Sequence, residues 1–243
     1  MGRDNEISEE RIVRMGTSKG YIAPTTVKWA QAKRAVSTYL KDNDSNSRTN
    51  AVGRFAEAMR DNVSSGMSSS FQSSATKLLG FAQSVASGGL NNALQDIGRE
   101  DLIGKSTDEI WSELMHDFTN AGASTEDALA ADALSSALDN LQIDELTQLG
   151  ALSPEVLLKE FLTEYIISFF DFTFEERISK GITPQEKEAR LEDIHNYIKN
   201  SLDTDLNLEQ IKTVDFSHLE GAKVVQSALD DALSVFIRYY EAV

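Results

Sequence analysis

The sequence contains no cysteine, which excludes disulfide bonds, thiolate metal sites and cysteine nucleophiles. No run approaches the roughly 18 consecutive apolar residues of a membrane-spanning helix, and the N-terminus lacks the apolar block of a secretory signal. Basic residues are scarce, since Lys and Arg number 23 against 39 Asp and Glu and the net charge is −16. We therefore expect a cytoplasmic protein that neither enters a membrane nor binds nucleic acid directly.

The charge is unevenly distributed along the chain. Residues 1–60 contain 11 basic and 7 acidic side chains, whereas residues 61–243 contain 12 basic and 32 acidic side chains. Such an asymmetry predicts different roles for the two parts, a nearly neutral leading segment and an acidic body that repels other anions.

Helix start signals recur from Ser106 onward. At each of four places a hydroxyl residue suited to cap a helix is followed by proline or by acidic residues, which the helix dipole favours in the first turn. These four starts lie at Ser106, Ser124, Ser153 and Thr183.

Apolar residues recur at helical spacing in every long segment, and no long segment has the two-residue period of a strand. The most apolar helix is expected to be central and buried, with a face made of Leu158, Phe161, Leu162, Tyr165, Ile166 and Phe169, widened by Phe170, Phe172 and Phe174. Trp29 is expected in the core as well. The predicted fold is all-α, an irregular multi-helix bundle with an extended N-terminal tail.

Two segments rich in serine and glycine interrupt the helical pattern, at residues 64–70 and 87–89. They predict three parts: a flexible leader and tail (1–25), N-terminal helices with Ser/Gly-rich joints (26–89) and an acidic helical body (90–243).

Catalytic signatures are absent from the sequence. The three histidines have no metal-ligand spacing, and the neighbours His116 and Asp117 point about 100° apart on a helix, so they cannot orient each other. We predict a protein that is not an enzyme and needs no cofactor or metal. Two alternatives stay open: a metal-dependent hydrolase or nuclease that uses carboxylates such as Asp203 and Asp205, and a helical scaffold.

Residues 15–24 are small and unfavourable for helix formation, and they stand between a charged leader and the first amphipathic helix. Gly16 and Gly20 permit close approach of the backbone to a partner, and Tyr21 and Trp29 offer amphipathic rings. We expect this segment to bind a partner.

The run Met15-Gly16-Thr17-Ser18, followed by Tyr21, Pro24 and Trp29, resembles the start of QatB proteins, one component of the Qat anti-phage defence systems. The similarity continues through residues 89–94, 98, 101–104, 127–134 and 152–155, and together these segments span most of the chain.

The resemblance implies a QueC-like (QatC-like) enzyme as partner, in a system that also contains an ATPase and a TatD-like nuclease. QueC acts on a 7-deazaguanine through an adenylated acid, and the resemblance implies that its defence relatives transfer this acid to the N-terminal glycine of a protein. Gly16 would then be the modified residue. Fourteen residues precede Met15, so either Met15 is the true start or the leader is cleaved. The residues implied in partner binding are Met15, Thr17, Ser18, Lys19, Gly20, Tyr21, Pro24 and Trp29.

Overall fold

A computed structural model of the chain describes residues 26–64, 68–178, 183–217 and 219–243. These residues form eight α-helices and four short 3-10 helices and contain no β-strand, which confirms the all-α prediction. The α-helices are α1 (Val27–Asp42), α2 (Ser45–Ser64), α3 (Ser69–Asp96), α4 (Thr107–Phe118), α5 (Thr125–Asn140), α6 (Pro154–Ile178), α7 (Pro184–Asp205) and α8 (Leu219–Glu241). The 3-10 helices are Glu100–Leu102, Asn120–Gly122, Leu146–Ala151 and Glu209–Thr213.

The four helix starts predicted from the sequence are confirmed. At α6 the hydroxyl of Ser153 accepts a hydrogen bond from the backbone N–H of Val156 at 3.3 Å. The other three starts are full capping boxes, in which the hydroxyl and the carboxylate three residues later satisfy each other's free backbone N–H groups. The pairs are Ser106 with Glu109, Ser124 with Asp127, and Thr183 with Glu186.

Helix α6 is the central element, as its apolar sequence predicts. It packs against α1, α3, α5 and α7, so it is buried on several sides instead of along one stripe. Its aromatic rings meet those of the surrounding helices, and Phe71 of α3 stacks on Tyr165 with 4.6 Å between ring centroids. Most of the predicted face is buried, whereas Phe172 is only partly covered.

Helix α2 lies between α1 and α8, which places the N-terminal helices against the last helix of the chain. The contact between α2 and α8 is very close at Gly53, where an added Cβ would lie 2.2 Å from the Cβ of Tyr240. A glycine is therefore required for the two helices to approach this closely.

A polar cluster around Asp193 of α7 joins three helices. One carboxylate oxygen accepts a hydrogen bond of 2.6 Å from the hydroxyl of Tyr39, on α1, and the other pairs with the guanidinium of Arg48, on α2, at 2.5 Å. Burial and the bond to this carboxylate raise the pKa of Tyr39 above its ordinary value, so the phenol stays protonated as a donor.

Helix α3 changes direction at Gly89, within the second Ser/Gly-rich joint, where φ is 78° and ψ is 173°. Buried residues before and after this glycine belong to one hydrophobic core. The division of the chain at residues 25/26 and 89/90 stays a prediction. No helix among the described residues has both the length and the apolar character needed to cross a membrane.

Candidate partner-binding surfaces

Trp29 has only 1% of its surface exposed, which confirms its predicted place in the core. Its ring lies 6.1 Å from that of Phe55 and 6.3 Å from that of Phe169, measured between centroids. A ring buried this deeply presents almost no surface to a partner, and the role of Trp29 in partner binding stays a prediction. In the described structure the residue packs in the core near the start of α1.

The remaining residues expected to bind the partner precede the described part of the chain. They are Met15, Gly16, Thr17, Ser18, Lys19, Gly20, Tyr21 and Pro24.

The start of α1 is locally defined. The hydroxyl of Thr26 accepts a hydrogen bond from the backbone N–H of Trp29 at 3.4 Å and caps the helix. Gly16 precedes Thr26 by ten residues, and a fully extended chain advances at most about 3.6 Å per residue. Covalent geometry therefore keeps Gly16 within about 36 Å of the start of α1.

A continuous basic segment includes the whole of α1 except its last residue. Residues 11–41 contain seven basic and no acidic side chains, an unusual run in a chain of net charge −16. Lys28 pairs with Asp61 of α2 at 2.7 Å. Arg34 and Lys41 are exposed, and neither forms an ion pair with another residue of the described ranges.

The seam between α1 and α2 contains a shallow cleft of about 250 Å³, here called the α1–α2 groove. Two arginines, Arg34 and Arg54, are among its lining residues. The second is held in place, since it pairs with Glu57 at 2.9 Å and lies 4.5 Å above the ring of Tyr240. No carboxylate lines the groove, whose lining residues are Gln31, Arg34, Ala35, Thr38, Asn50 and Arg54.

An acidic lobe is formed by residues 96–145, which contain 13 acidic and two basic side chains. One of the two basic residues, Arg99, is surrounded by Asp101, Glu113 and Asp117. Hydrogen bonds to these carboxylates raise the pKa of Arg99 above its ordinary value. The lobe therefore keeps a large negative excess on its surface after its internal pairing.

Exposed apolar side chains accompany the charges of this lobe. Ile97 is 39% exposed and Ile103 is 37% exposed, and they flank the 3-10 helix Glu100–Leu102. Single exposed apolar residues of this kind are common on protein surfaces. It is the negative excess of the lobe that suits it to a partner with basic residues.

The first turn of α5 holds two carboxyl groups with opposite pKa shifts. Burial, aided by the negative charge of Asp127, raises the pKa of Glu126 to about 7. Burial alone would also raise the pKa of Asp127, but hydrogen bonds from Ser124, Ser70 and Asn120 outweigh it and lower that pKa. Asp127 is thus a structural anion, and Glu126 titrates near neutrality.

One histidine in the described ranges forms a close pair with a carboxylate. Nε2 of His195 lies 2.8 Å from a carboxylate oxygen of Asp171, an arrangement that joins α7 to α6. His116 is exposed, and His218 falls outside the description. No group of three or more His, Asp or Glu side chains suited to hold a metal occurs in these ranges.

The carboxylates proposed for a metal enzyme lie within ion-pair distance of basic residues. Asp203 lies 3.8 Å from Lys159, and Asp205 lies 4.0 Å from Arg238. A cation would have to compete with these ammonium and guanidinium groups for the same oxygens.

The α1–α2 groove is not among the features predicted from the sequence. The lack of acidic residues from 11 to 41 was a signal for a basic face, but the presence of Arg34 and Arg54 in one groove depends on how two helices pack. No periodicity within either helix predicts that arrangement.

The chain was also compared with known proteins. A family model described as "Qat anti-phage system associated protein QatB" matches residues 60–236, more than half of the chain. The match begins in α2 and ends in α8, so it includes the acidic lobe and leaves out the tail and α1. Neither the curated proteins nor the solved structures gave a match. The chain belongs to the QatB family and is a component of an anti-phage defence system.

Proposed function

We propose that this chain is a non-enzymatic, cytoplasmic component of a Qat defence complex that binds a QueC-like enzyme and is the substrate of that enzyme. The proposed modification attaches a 7-deazaguanine to Gly16 through an amide bond. The ATPase and the TatD-like nuclease of the same system are further candidate partners.

The observation that carries the proposal is the run Gly16-Thr17-Ser18 in a chain of the QatB family. Glycine has no Cβ, so its amine can approach an activated carbonyl in a narrow active site with little steric hindrance. The small polar residues Thr17 and Ser18 suit a segment that has to enter such a site.

The proposed step joins two defined groups. The amine nitrogen of Gly16 attacks the carbonyl carbon of an adenylated 7-deazaguanine carboxylic acid. A C–N amide bond forms, the C–O bond to the phosphate breaks, AMP departs and the nitrogen loses a proton. The amine must be free, so the reactive chain begins at Gly16.

The features of the structure suit the tail and the folded body to different tasks in the proposed reaction. Trp29 and the cap at Thr26 anchor the tail to a rigid body, and the acidic lobe offers carboxylates and exposed isoleucines to an incoming protein. Charge complementarity of this kind mainly fixes the orientation and the rate of association. The enzyme supplies the catalytic groups, and this chain supplies the amine and the recognition surface.

The proposal is tested by co-expression with the cognate QueC-like enzyme, followed by intact-mass and peptide mass spectrometry. We expect a chain that begins at Gly16 and carries the added deazaguanine mass. Replacement Gly16→Val should abolish the adduct, because a branched Cβ crowds the amine. The matched change Ala23→Val, seven residues further along the tail and outside the residues implied in partner binding, should leave the adduct in place.

Two results would contradict the proposal. One is an adduct on a residue other than Gly16, and the other is full phage defence by the Gly16→Val protein. Circular dichroism and thermal unfolding of each variant check that its body is folded.

A further inference from the structure

The basic segment and the acidic body present opposite charges on one molecule. Among residues 11–41 every ionisable group that is charged at neutral pH is basic, whereas the acidic lobe carries 13 acidic side chains. In the proposed function the acidic lobe forms one charged contact with the partner. The basic face of α1 is not explained by that interface or by packing in the core, because Arg34 and Lys41 point into solvent.

The α1–α2 groove has the chemistry of a carboxylate site. Arg34 is an exposed arginine in its lining, and Arg54, whose guanidinium pairs with Glu57 and lies over the ring of Tyr240, is a second lining residue. Guanidinium groups bind carboxylates through two parallel hydrogen bonds, and the amides of Gln31 and Asn50 add further donors to the lining.

We propose that the α1–α2 groove is a docking site for carboxylate side chains on the surface of the enzyme that modifies the tail. This inference rests on the proposed function and adds to it a second contact, of opposite sign to the one at the acidic lobe. The partner is expected to carry an acidic patch near its active-site entrance and a basic patch further away.

The position of the groove favours this partner. It lies along α1, and Gly16 is tethered within about 36 Å of the start of that helix. An enzyme docked on α1 therefore meets the tail at a high effective concentration, because binding makes the second encounter intramolecular. Two charged patches also fix the orientation of the enzyme better than one.

The charges favour an acidic protein surface over nucleic acid. A polyanion would extend past the groove and meet a molecule whose net charge is −16. A few carboxylates on a protein act only at short range, because physiological salt screens charges beyond about 8 Å. The groove can thus bind a local acidic patch while the molecule as a whole repels a polyanion.

The test measures binding of the cognate QueC-like enzyme to the full chain by calorimetry, at about 0.05 M and 0.3 M salt. Arg34→Glu should weaken the affinity about tenfold at low salt and slow conjugation of Gly16, because a carboxylate then faces a carboxylate. Arg34→Lys, which keeps the charge but loses the two-pronged geometry, should recover part of the affinity. Lys223→Glu, the same charge change at an exposed position of α8, is the control and should alter affinity less than about twofold.

The outcomes separate the two hypotheses. If the native chain neither binds the enzyme nor gains the adduct, the proposed function fails and this inference fails with it. If the native chain is modified and Arg34→Glu binds as tightly as Lys223→Glu, only the groove assignment is overturned. Binding of a short single-stranded or duplex DNA that Arg34→Glu abolishes, with enzyme binding unchanged, would assign the groove to nucleic acid instead.

Discussion

Gly53 of α2 illustrates how a single residue sets the distance between two helices. Its Cα faces Tyr240 of α8, and an added Cβ would lie 2.2 Å from the Cβ and 2.8 Å from the Cγ of that tyrosine. These separations are far below van der Waals contact, so any side chain larger than hydrogen would push α8 away from α2.

We expect Gly53→Ala to lower the free energy of unfolding by about 1 to 3 kcal/mol through overpacking. The control is Gly80→Ala in α3, where the new Cβ would meet the backbone oxygen of Phe216 at an ordinary 3.5 Å. That control should keep or raise stability, because alanine favours the helix by about 0.5 to 1 kcal/mol over glycine. Urea unfolding of both variants measures the difference, and equal stabilities would contradict the close approach of α2 and α8.

The raised pKa of Glu126 predicts that the folded protein loses stability as the pH rises. Burial raises its pKa from the ordinary 4.5 to about 7. The folded chain therefore binds more protons than the unfolded chain between these two values, and the free energy of unfolding falls as the pH passes through that window. Glu126→Gln removes this loss, and the variant should exceed the native protein in stability by about 1 to 2 kcal/mol at pH 8, because solvent screens part of the effect at a carboxyl that is only partly buried.

The neighbouring carboxylate is the control for this measurement. The pKa of Asp127 is lowered, so its contribution to stability is present above its ordinary pKa of 3.8 and is lost as the pH falls through the folded value. Asp127→Asn should therefore destabilise the protein at neutral pH. Denaturant unfolding from about pH 2 to pH 8 records both signs, and a Glu126→Gln variant with the pH dependence of the native protein would refute the assignment.

Among the helices, α3 is distinctive because it bends within one continuous element. Gly89 adopts φ 78° and ψ 173°, a region of backbone conformation that residues with a Cβ rarely enter. An added Cβ would meet no atom within 4 Å, so strain of the backbone and not a collision limits the choice of residue there.

We expect Gly89→Ala to lower the free energy of unfolding by about 1 to 3 kcal/mol, the usual cost of a strained backbone. Asn43, a residue after α1 with φ 52°, is the control position, where Asn43→Gly should have a small effect because both residues accept the left-handed region. Thermal unfolding compares the two. A Gly89→Ala variant as stable as the native protein would mean that α3 is straight in solution.

The charge of the whole molecule predicts its response to salt. The chain has 39 acidic and 23 basic side chains, so its acidic groups repel one another. This repulsion is concentrated in the acidic lobe. Raising the salt from about 0.02 M to 0.3 M shortens the range of these forces, so Tm should rise by a few degrees.

A charge variant separates this repulsion from general salt effects. Asp139 and Asp144 are exposed residues of the acidic lobe that form no ion pair with other described residues. Replacement of both by lysine reduces the negative excess and should make Tm less dependent on salt, with a higher Tm at low salt. A salt response that the double variant leaves unchanged would exclude repulsion in the lobe as its cause.

The sequence by itself determined the helices, their start points and the segregation of charge. These properties are local: a cap such as Ser153 with Pro154 acts within one helical turn, and the spacing of Leu158, Phe161 and Leu162 defines one face of one helix. The burial of Trp29 followed from the same periodicity, whereas its role in partner binding stays a prediction.

Only the tertiary structure decided which helices are neighbours. Three features join residues that are far apart in the chain. Helix α2 lies between α1 and α8, and Asp193 contacts Tyr39 and Arg48. Arg34 and Arg54 line the same groove. Several arrangements of amphipathic helices bury similar apolar area, and hydrophobic burial is not directional. The choice among them depends on close packing at particular points such as Gly53, and a sequence pattern within one helix contains no information about the surface it will meet.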